Sequence, residues 1–450
     1  MTSQARKRRE KSSEEGVALI VAITTVAILA VMLADMHQTT GTAFAVSTAQ
    51  RDALQAEYLA KSATNLTRLL IAKEPEIRRF VNPLYQAATG RAAPQLPVWD
   101  FANAILSPFC TPEDQRDTLT QLGIDFGDTT GFDDIPGTCN ILVVSENGKI
   151  NLNDPLFLDG ERARSNVAVQ LFALTGGYQP DNPYDFLFSK QDENGNITTR
   201  QDVVSAVIDW WDRDIQRTDF DPGAATTRTG GTGAEDDSIY QLYGDSYRNK
   251  NAPLDSIQEL RLVRGFNDDF WATFVEPVPN DPESRIVTIY ASGLVNVNEA
   301  NPQVLLARLC SEIPEATLCI DPLEAIKFTQ ILSTVRMLIP IPLFTQPSDF
   351  IGFVEGKTGS KNLYGMLQGF LGEESEILFA PVELTEAQRE ALGRTFATAA
   401  RIFTIVATGQ VGHSQVRIES VVNFHTRWVP PPPNAGRMPG LGVFHYYRVN

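Results

Sequence analysis

At 450 residues with 43% apolar composition, the chain has room for about two to four domains with packed cores. Its formal net charge of −17, from 55 acidic against 38 basic side chains, disfavours functions built on neutralising nucleic-acid phosphates and suits solubility, self-repulsion or cation capture. The cysteines Cys110, Cys139, Cys310 and Cys319 form no CxxC pair, so zinc-finger and thiol-redox motifs are not indicated. Outside the cytoplasm an even count allows two disulfides in three connectivities. Nearest-neighbour pairing is the expectation, with four buried free thiols as the alternative.

Residues 16–34, GVALIVAITTVAILAVMLA, carry no charge. At about 1.5 Å per residue they span roughly 28 Å, enough for a bilayer core. Arg6, Lys7, Arg8, Arg9 and Lys11 precede the run, and no Lys or Arg follows until Arg51. That asymmetry predicts a cytoplasmic N-terminus with residues from 35 onward outside. A cleaved secretory signal is the rival reading, but its apolar region is shorter and ends in a structural break. Here helical spacing continues through Leu54, Tyr58, Leu59, Ala63, Leu66 and Leu70, which predicts one helix of about 55 residues closing near Pro75. A hinge near Gly41 separating a membrane span from a soluble helix is the alternative.

Further along, 141–153 (ILVVSENGKINLN) predicts a strand, a turn at Asn147-Gly148 and a second short strand. RIFTIVATGQ (401–410) and QVRIESVVNF (415–424) predict a hairpin, and VFHYYRV (443–449) a last strand after the stiff Pro430–Pro433 run. Between these ends lie helical patterns in QDVVSAVIDWW, SIQELRL, PQVLLARL, PLEAIKFTQILSTVRML and LTEAQREAL, with a turn-rich loop at about 218–235. Strands at both ends with helices between predict a helical domain inserted into a β-containing one, an α+β fold.

The leader ending in Glu15-Gly16 and the uncharged run from Val17 resemble the N-terminus of type IV pilins and pseudopilins. The resemblance implies cleavage after Gly16 by a prepilin peptidase and methylation of Val17. The fifth residue after that cut, a glutamate in most pilins, is Val21 here. In the family that carboxylate neutralises the amino terminus of a neighbouring subunit within lipid, where a lone charge is expensive. Its loss is the pattern of the large minor pseudopilin of type II secretion, the K subunit. GKINLN, IDWWDRD, GAEDD, APLDSIQELRLVRGF and SGLVNVNEANPQVLLARL resemble that family in the same order. The resemblance implies a leader at 1–16, a transmembrane and amphipathic helix at 17–75, a pilin-like domain at 76–153 and 381–450, and an inserted helical domain at 154–380.

Nine acidic residues lie between 202 and 237, among them Asp209, Asp212 and Asp214, then Glu235, Asp236 and Asp237 after a Gly-rich stretch. Clustered carboxylates repel unless screened, and oxygen-only donors on loops suit a hard cation such as calcium. The spacing does not match an EF-hand, so a solvated acidic face is the competing reading. Resemblance to the K subunit, which binds calcium in this region, implies Asp212, Asp214, Glu235, Asp236 and Asp237 as ligands in a structural role.

Signals for other chemistry are weak. GKT at 356–358 lacks the first Walker glycine, with Ile351 in its place. His37, His413, His425 and His445 lie away from the acidic cluster and the cysteines. GLVNVNEANPQVLL (293–306) resembles a helix-hairpin-helix turn, but Val295 replaces its second glycine and no bases flank it. Trp210 and Trp211 are expected to pack in the core rather than form an exposed contact. The expectation is a non-catalytic subunit, single-pass in the bacterial inner membrane with its bulk in the periplasm. It would cap the pseudopilus tip, help initiate assembly for protein export, and meet minor pseudopilins I and J, the major subunit through the helix bundle, and prepilin peptidase, with no nucleic acid. A membrane-anchored minor pilin or adhesin-like ectodomain is the alternative.

Overall fold

The computed structural model describes residues 3–110, 136–153, 160–179, 182–189, 197–234, 247–279, 281–290, 293–339, 341–359, 362–372, 376–424 and 440–450. Helix α1 spans Ser3–Thr89 and α2 Ala102–Cys110. β1 (Thr138–Ser145) leads through a 3-10 turn, Glu146–Gly148, into β2 (Ile150–Asn151). Helices α3 (Gly160–Leu174) and α4 (Arg200–Trp211) are followed by β3 (Gln216–Asp221) and β4 (Thr226–Ala234). After β5 (Val287–Thr288) and β6 (Val295–Asn296) come α5 (Pro302–Glu312), α6 (Thr317–Ile320), α7 (Pro322–Leu338), α8 (Pro347–Val354), α9 (Leu363–Leu371) and α10 (Glu386–Thr395). β7 (Phe396–Ala397), β8 (Ile402–Val411), β9 (Ser414–Asn423) and β10 (Val443–Val449) close the chain.

The fold is α+β. One sheet has the order β1-β8-β9-β10, and β10 runs antiparallel to β9. β1 and β8 are neighbours although everything from 146 to 401 separates them in sequence. The mainly helical region is thus carried between two adjacent strands. The chain forms two compact units: Met1–Ser62 with Pro108–Asn140 and Thr408–Arg417, and Ala63–Ser107 with Ile141–Ala407 and Ile418–Asn450.

In the first unit, α1 passes Gly41 without interruption. Ala56, Leu59 and Ala60 are fully buried. The close packing there depends on glycine: a Cβ on Gly409 of β8 would stand 2.1 Å from the Ala56 carbonyl oxygen and 2.9 Å from the Ala60 nitrogen. Gly137 is similarly confined: a Cβ there would stand 2.5 Å from the Gln410 carbonyl oxygen and 2.6 Å from Leu59 Cδ1. Cys110 and Cys139 form a disulfide with their Cα atoms 5.5 Å apart.

In the second unit, α1 does not close near Pro75 but continues through Pro75 and Pro83 to Thr89. Each proline removes a helical donor and disfavours helical geometry in the residue before it. Those preceding residues are held by the strand-like stretch alongside. Glu74 is 1% exposed; its Oε1 accepts the Leu96 N–H at 2.8 Å and meets Arg78 Nε at 3.3 Å. Asn82 Oδ1 accepts the Ala93 N–H at 2.8 Å. Tertiary hydrogen bonds thus override the local stop signal.

The 141–153 stretch forms the expected strand, turn and second short strand, but β1 and β2 do not pair with each other. β1 joins the main sheet, whereas β2 runs parallel to β5. The reason is the burial of the turn between them. Asn147 Oδ1 accepts the N–H groups of Arg401 and Ile402 at 2.9 and 3.0 Å. Glu146 Oε1 meets Lys149 Nζ at 2.9 Å and the Thr404 hydroxyl at 2.6 Å, and Oε2 accepts from Thr288. Burial alone would raise the Glu146 pKa, but Lys149 and the two threonines hold it below the ordinary value.

Two more expectations are corrected. SIQELRL is a 3-10 helix, Ile257–Leu262, opened by a Ser256–Glu259 capping box. The supposed loop at 218–235 is the β3–β4 ribbon. Its turn is organised by Asp221 Oδ1, which accepts from Gly223 and Ala224, and by Ala225 at φ +52°. The hairpin at 402–423, the last strand, α7 and Cys310–Cys319 (Cα separation 5.5 Å) stand in the fold. Trp210 is buried, edge-on to Tyr247 at 6.2 Å.

The helical region packs as one hydrophobic cluster in which Val167, Ile208, Leu260, Phe274, Leu305 and Phe328 are among the buried residues. Near β6, Arg336 donates to the carbonyls of Ala300 and Val297 at 2.5 and 2.6 Å. Burial dominates here too. It raises Glu299 to about 7 against hydrogen bonds from Ser145 and Asn296, and it lowers Arg336 to about 10. It also raises Asp100 to about 6, with a contribution from Glu283.

Three outcomes follow from this packing. Gly409→Val forces α1 and β8 apart and lowers stability by about 1–3 kcal/mol or more in chemical denaturation. Glu146→Ala leaves the Lys149 ammonium buried and costs about 3–5 kcal/mol, whereas a joint Glu146→Met, Lys149→Met change costs far less. Glu299 holds its proton more tightly folded than unfolded. Its contribution is therefore complete below the unfolded pKa and is lost as pH rises through about 7. Melting curves fall from pH 5 to pH 8, and Glu299→Gln flattens that fall.

Candidate functional site

Two regions gather the functional residues named above. The first is the apolar part of α1. Among the described residues, the Gly16–Ala87 stretch holds the one window long and apolar enough to cross a membrane, at mean hydropathy 2.8 and with none of it buried in the protein. Gly16, Val17 and Val21 are exposed. Two hydroxyls interrupt the run, and both turn back on the helix. Thr24 donates to the Ile20 and Val21 carbonyls, and Thr25 to those of Val21 and Ala22, at 2.8–3.0 Å. Such back-bonding removes the cost of exposing a hydroxyl to hydrocarbon.

The second is the acidic cluster. A capping box of Thr199 and Asp202 starts α4, and Asp212 ends it, donating its N–H to the Ile208 carbonyl. Asp209, one turn earlier, is buried and accepts the Thr218 N–H at 2.8 Å, which ties β3 to the helix. Burial raises it to about 7, opposed by the Thr218 hydrogen bonds. Asp212 is 3% exposed and both its carboxylate oxygens are shielded from solvent. Arg164 Nη1 stands 3.6 Å from Asp212 Oδ2 and 3.6 Å from Asp214 Oδ2, so these two carboxylates converge on one point. Asn251, in the left-handed region at φ +49°, donates through Nδ2 to the Asp214 carbonyl at 2.9 Å and through its N–H to that of Trp210 at 3.0 Å.

Glu235, Asp236 and Asp237 lie outside the described residues. The ribbon register sets Ala234 opposite Gln216, two residues from Asp214. Among the described residues, no three His, Cys, Asp or Glu side chains come together as a metal set. Asp212 and Asp214 present anionic oxygens at a helix end, with the Arg164 guanidinium standing between them.

Sequence reasoning missed the buried Glu146–Lys149 pair and Glu299. Glu146 and Lys149 sit in the GKINLN neighbourhood, but nothing in the spacing distinguishes a buried ion pair from a solvated turn. Asn153, from the same segment, bonds Leu254 in both directions, through Nδ2 to the carbonyl at 2.8 Å and through Oδ1 from the N–H at 2.9 Å. GKINLN is thereby joined to the APLDSIQELRLVRGF segment.

Comparison with protein-family models finds no match, and comparison with curated proteins finds none. Among solved structures, the chain is similar to one in the GspK-GspI-GspJ complex of the enterotoxigenic Escherichia coli type 2 secretion system. The identity is 12% and the TM-score 0.36, over 70% of this chain and 80% of the other.

Proposed function

We propose that this chain is a minor pseudopilin of a type II secretion apparatus, set at the tip of the pseudopilus and helping to start its assembly. The observation that carries the reading is the charge-free, wholly exposed apolar run of α1 with Val21 at the fifth position after Gly16. A filament subunit bearing a carboxylate there needs a neighbour whose amino terminus neutralises it. A subunit without one is suited to the end of a polymer. On this reading the bulk lies in the periplasm and α1 packs with the helices of the I and J minor pseudopilins and of the major subunit. The role is structural rather than catalytic, and prepilin peptidase processes the chain.

We further propose a calcium ion held by Asp212 and Asp214 with Glu235, Asp236 and Asp237. The support is the convergence of the two described carboxylates and the ribbon register that sets Ala234 opposite Gln216. Bound there, the ion adds to the charge neutralisation that Arg164 gives Asp212 and Asp214. Asp212 anchors the cluster to the end of α4, and Asn251 holds the backbone around Asp214.

Mass spectrometry of the mature protein tests the processing, with N-methyl-Val17 expected as the first residue; a retained Met1 points to a plain anchor instead. Deletion of the gene is expected to abolish secretion and pseudopilus assembly, and intact secretion contradicts the tip role. Calcium at about 100-fold its Kd stabilises a site by about 2.7 kcal/mol, which raises Tm by several degrees. Chelation therefore lowers Tm by that amount in the wild type and leaves Asp212→Asn nearly unchanged. A wild-type Tm indifferent to chelation overturns the calcium assignment.

A further inference from the structure

A cavity of about 140 Å³ lies between the last two strands of the main sheet and the stretch 285–290 that carries β5. Glu419 and Val421 line it from β9, Tyr446 and Arg448 from β10, and Ile257 and Gln258 also border it. The assembly role makes no use of it. A single water needs roughly 10–15 Å³ of such space, so the cavity has room for a ligand of about ten non-hydrogen atoms.

Its charged groups divide into those already satisfied and those left open. Glu146 is satisfied, because Lys149 and the hydroxyls of Thr404 and Thr288 fill its carboxylate. Arg285 is partly so, since its Nε donates to Glu276 Oε1 at 2.9 Å. Glu419 and Arg448 are open. Arg285 Nη1 is 3.8 Å from Glu419 Oε1, beyond hydrogen-bond reach. Among the described residues, the Arg448 guanidinium has no hydrogen-bond or ion-pair partner. The strand register places Arg448 directly opposite Glu419, so the two side chains share a face with their Cβ atoms about 5 Å apart. Arg448 is exposed, and attraction across an exposed pair is weak, so both groups are free to turn to a ligand.

The rest of the lining adds a donor and an apolar surface. Burial raises the Tyr290 phenol, with Tyr446, Glu146 and Glu419 adding to the rise and Arg285 opposing it. The hydroxyl therefore stays protonated and able to donate. Val287, Ile289 and Val421 are buried and give the cavity an aliphatic side.

We propose that this cavity binds a free α-amino acid with an aliphatic side chain. Arg448 and the Tyr290 hydroxyl take its carboxylate, Glu419 takes its ammonium, and Val287, Ile289 and Val421 take its side chain. A simple anion would set its charge against Glu419, and a simple cation would set its charge against Arg448. An α-amino acid carries both charges on one carbon. That pairing matches two open and opposite charges held about 5 Å apart on one face of the sheet.

The test uses the full chain in lipid nanodiscs with labelled valine methyls, following Val287 and Val421. L-Leucine, N-acetyl-L-leucine and L-leucinamide are titrated in turn; the second lacks the ammonium and the third the carboxylate. L-Leucine is expected to give a saturable shift, and each of the other two to bind at least tenfold more weakly. Glu419→Gln weakens L-leucine at least tenfold and leaves N-acetyl-L-leucine nearly unchanged. Arg448→Gln weakens L-leucine to the same degree and leaves L-leucinamide nearly unchanged. Where a variant fails to fold, the three wild-type titrations decide the outcome. No saturable shift with L-leucine, equal binding of either derivative, or unchanged L-leucine affinity in a folded variant overturns the proposal. The readout requires no pseudopilus, so it stands or falls apart from the tip role.

Discussion

The second unit depends on a single buried junction. A helical region can be carried between two neighbouring strands only if the chain leaves and returns through the same small volume without orphaned polar groups. Glu146, Asn147 and Lys149 occupy that exit, all at most 5% exposed, and each is spent on the returning chain or the region's own strands. Asn147 takes the N–H groups of Arg401 and Ile402, where the chain comes back. Glu146 reaches Thr404 on β8 and Thr288 on β5, and Lys149 reaches the Pro282 carbonyl. One carboxylate and one amide thus bind the strand that leaves, the strand that returns and a strand of the insertion. A buried carboxylate with its acceptors filled is also directional. It specifies a register as well as a contact, which an apolar junction cannot do.

The same logic of local rule and tertiary override runs through α1. Read alone, Pro75 is a stop; packed against residues 93–96, it is tolerated, because the residues before both prolines spend their side chains on that stretch. In the first unit the override has the opposite form. Glycine in β8 is poor for a strand, yet Gly409 permits the closest approach of helix and strand at Ala56 and Ala60.

Much of the architecture was legible because it is periodic. The apolar run, α4, α5, α7, the β8–β9 hairpin and the last strand all announce themselves by spacing, and the structure returns α7 at the bounds of its apolar-periodic segment. What periodicity cannot register is pairing at a distance. Glu146 reads as a turn residue until Thr404, 258 positions later, takes its oxygen. The β3–β4 ribbon was hidden by its glycines, which signal turns but here sit in a strand whose partner, with Thr218 buried against Asp209, is anchored to α4. At the acidic cluster, composition named the residues, but only the structure shows Asp209 buried against Thr218 and Asp212 beside Asp214 at one helix end.

The apolar run of α1 is long and apolar enough to cross a membrane, a medium in which hydrophobicity does no work between helices. Within lipid, helices associate through close packing and hydrogen bonds rather than through the hydrophobic effect. Here the two threonines are satisfied within the helix itself, and no charge occurs from Gly16 to Ala34. The segment therefore demands no polar partner in the membrane. A carboxylate at position 21 would impose such a demand and make insertion without a neighbour costly. Val21 removes the obligation and leaves packing as the only term holding this helix to others. Nothing in the described span from Gly16 to Ala34 calls for a charged partner.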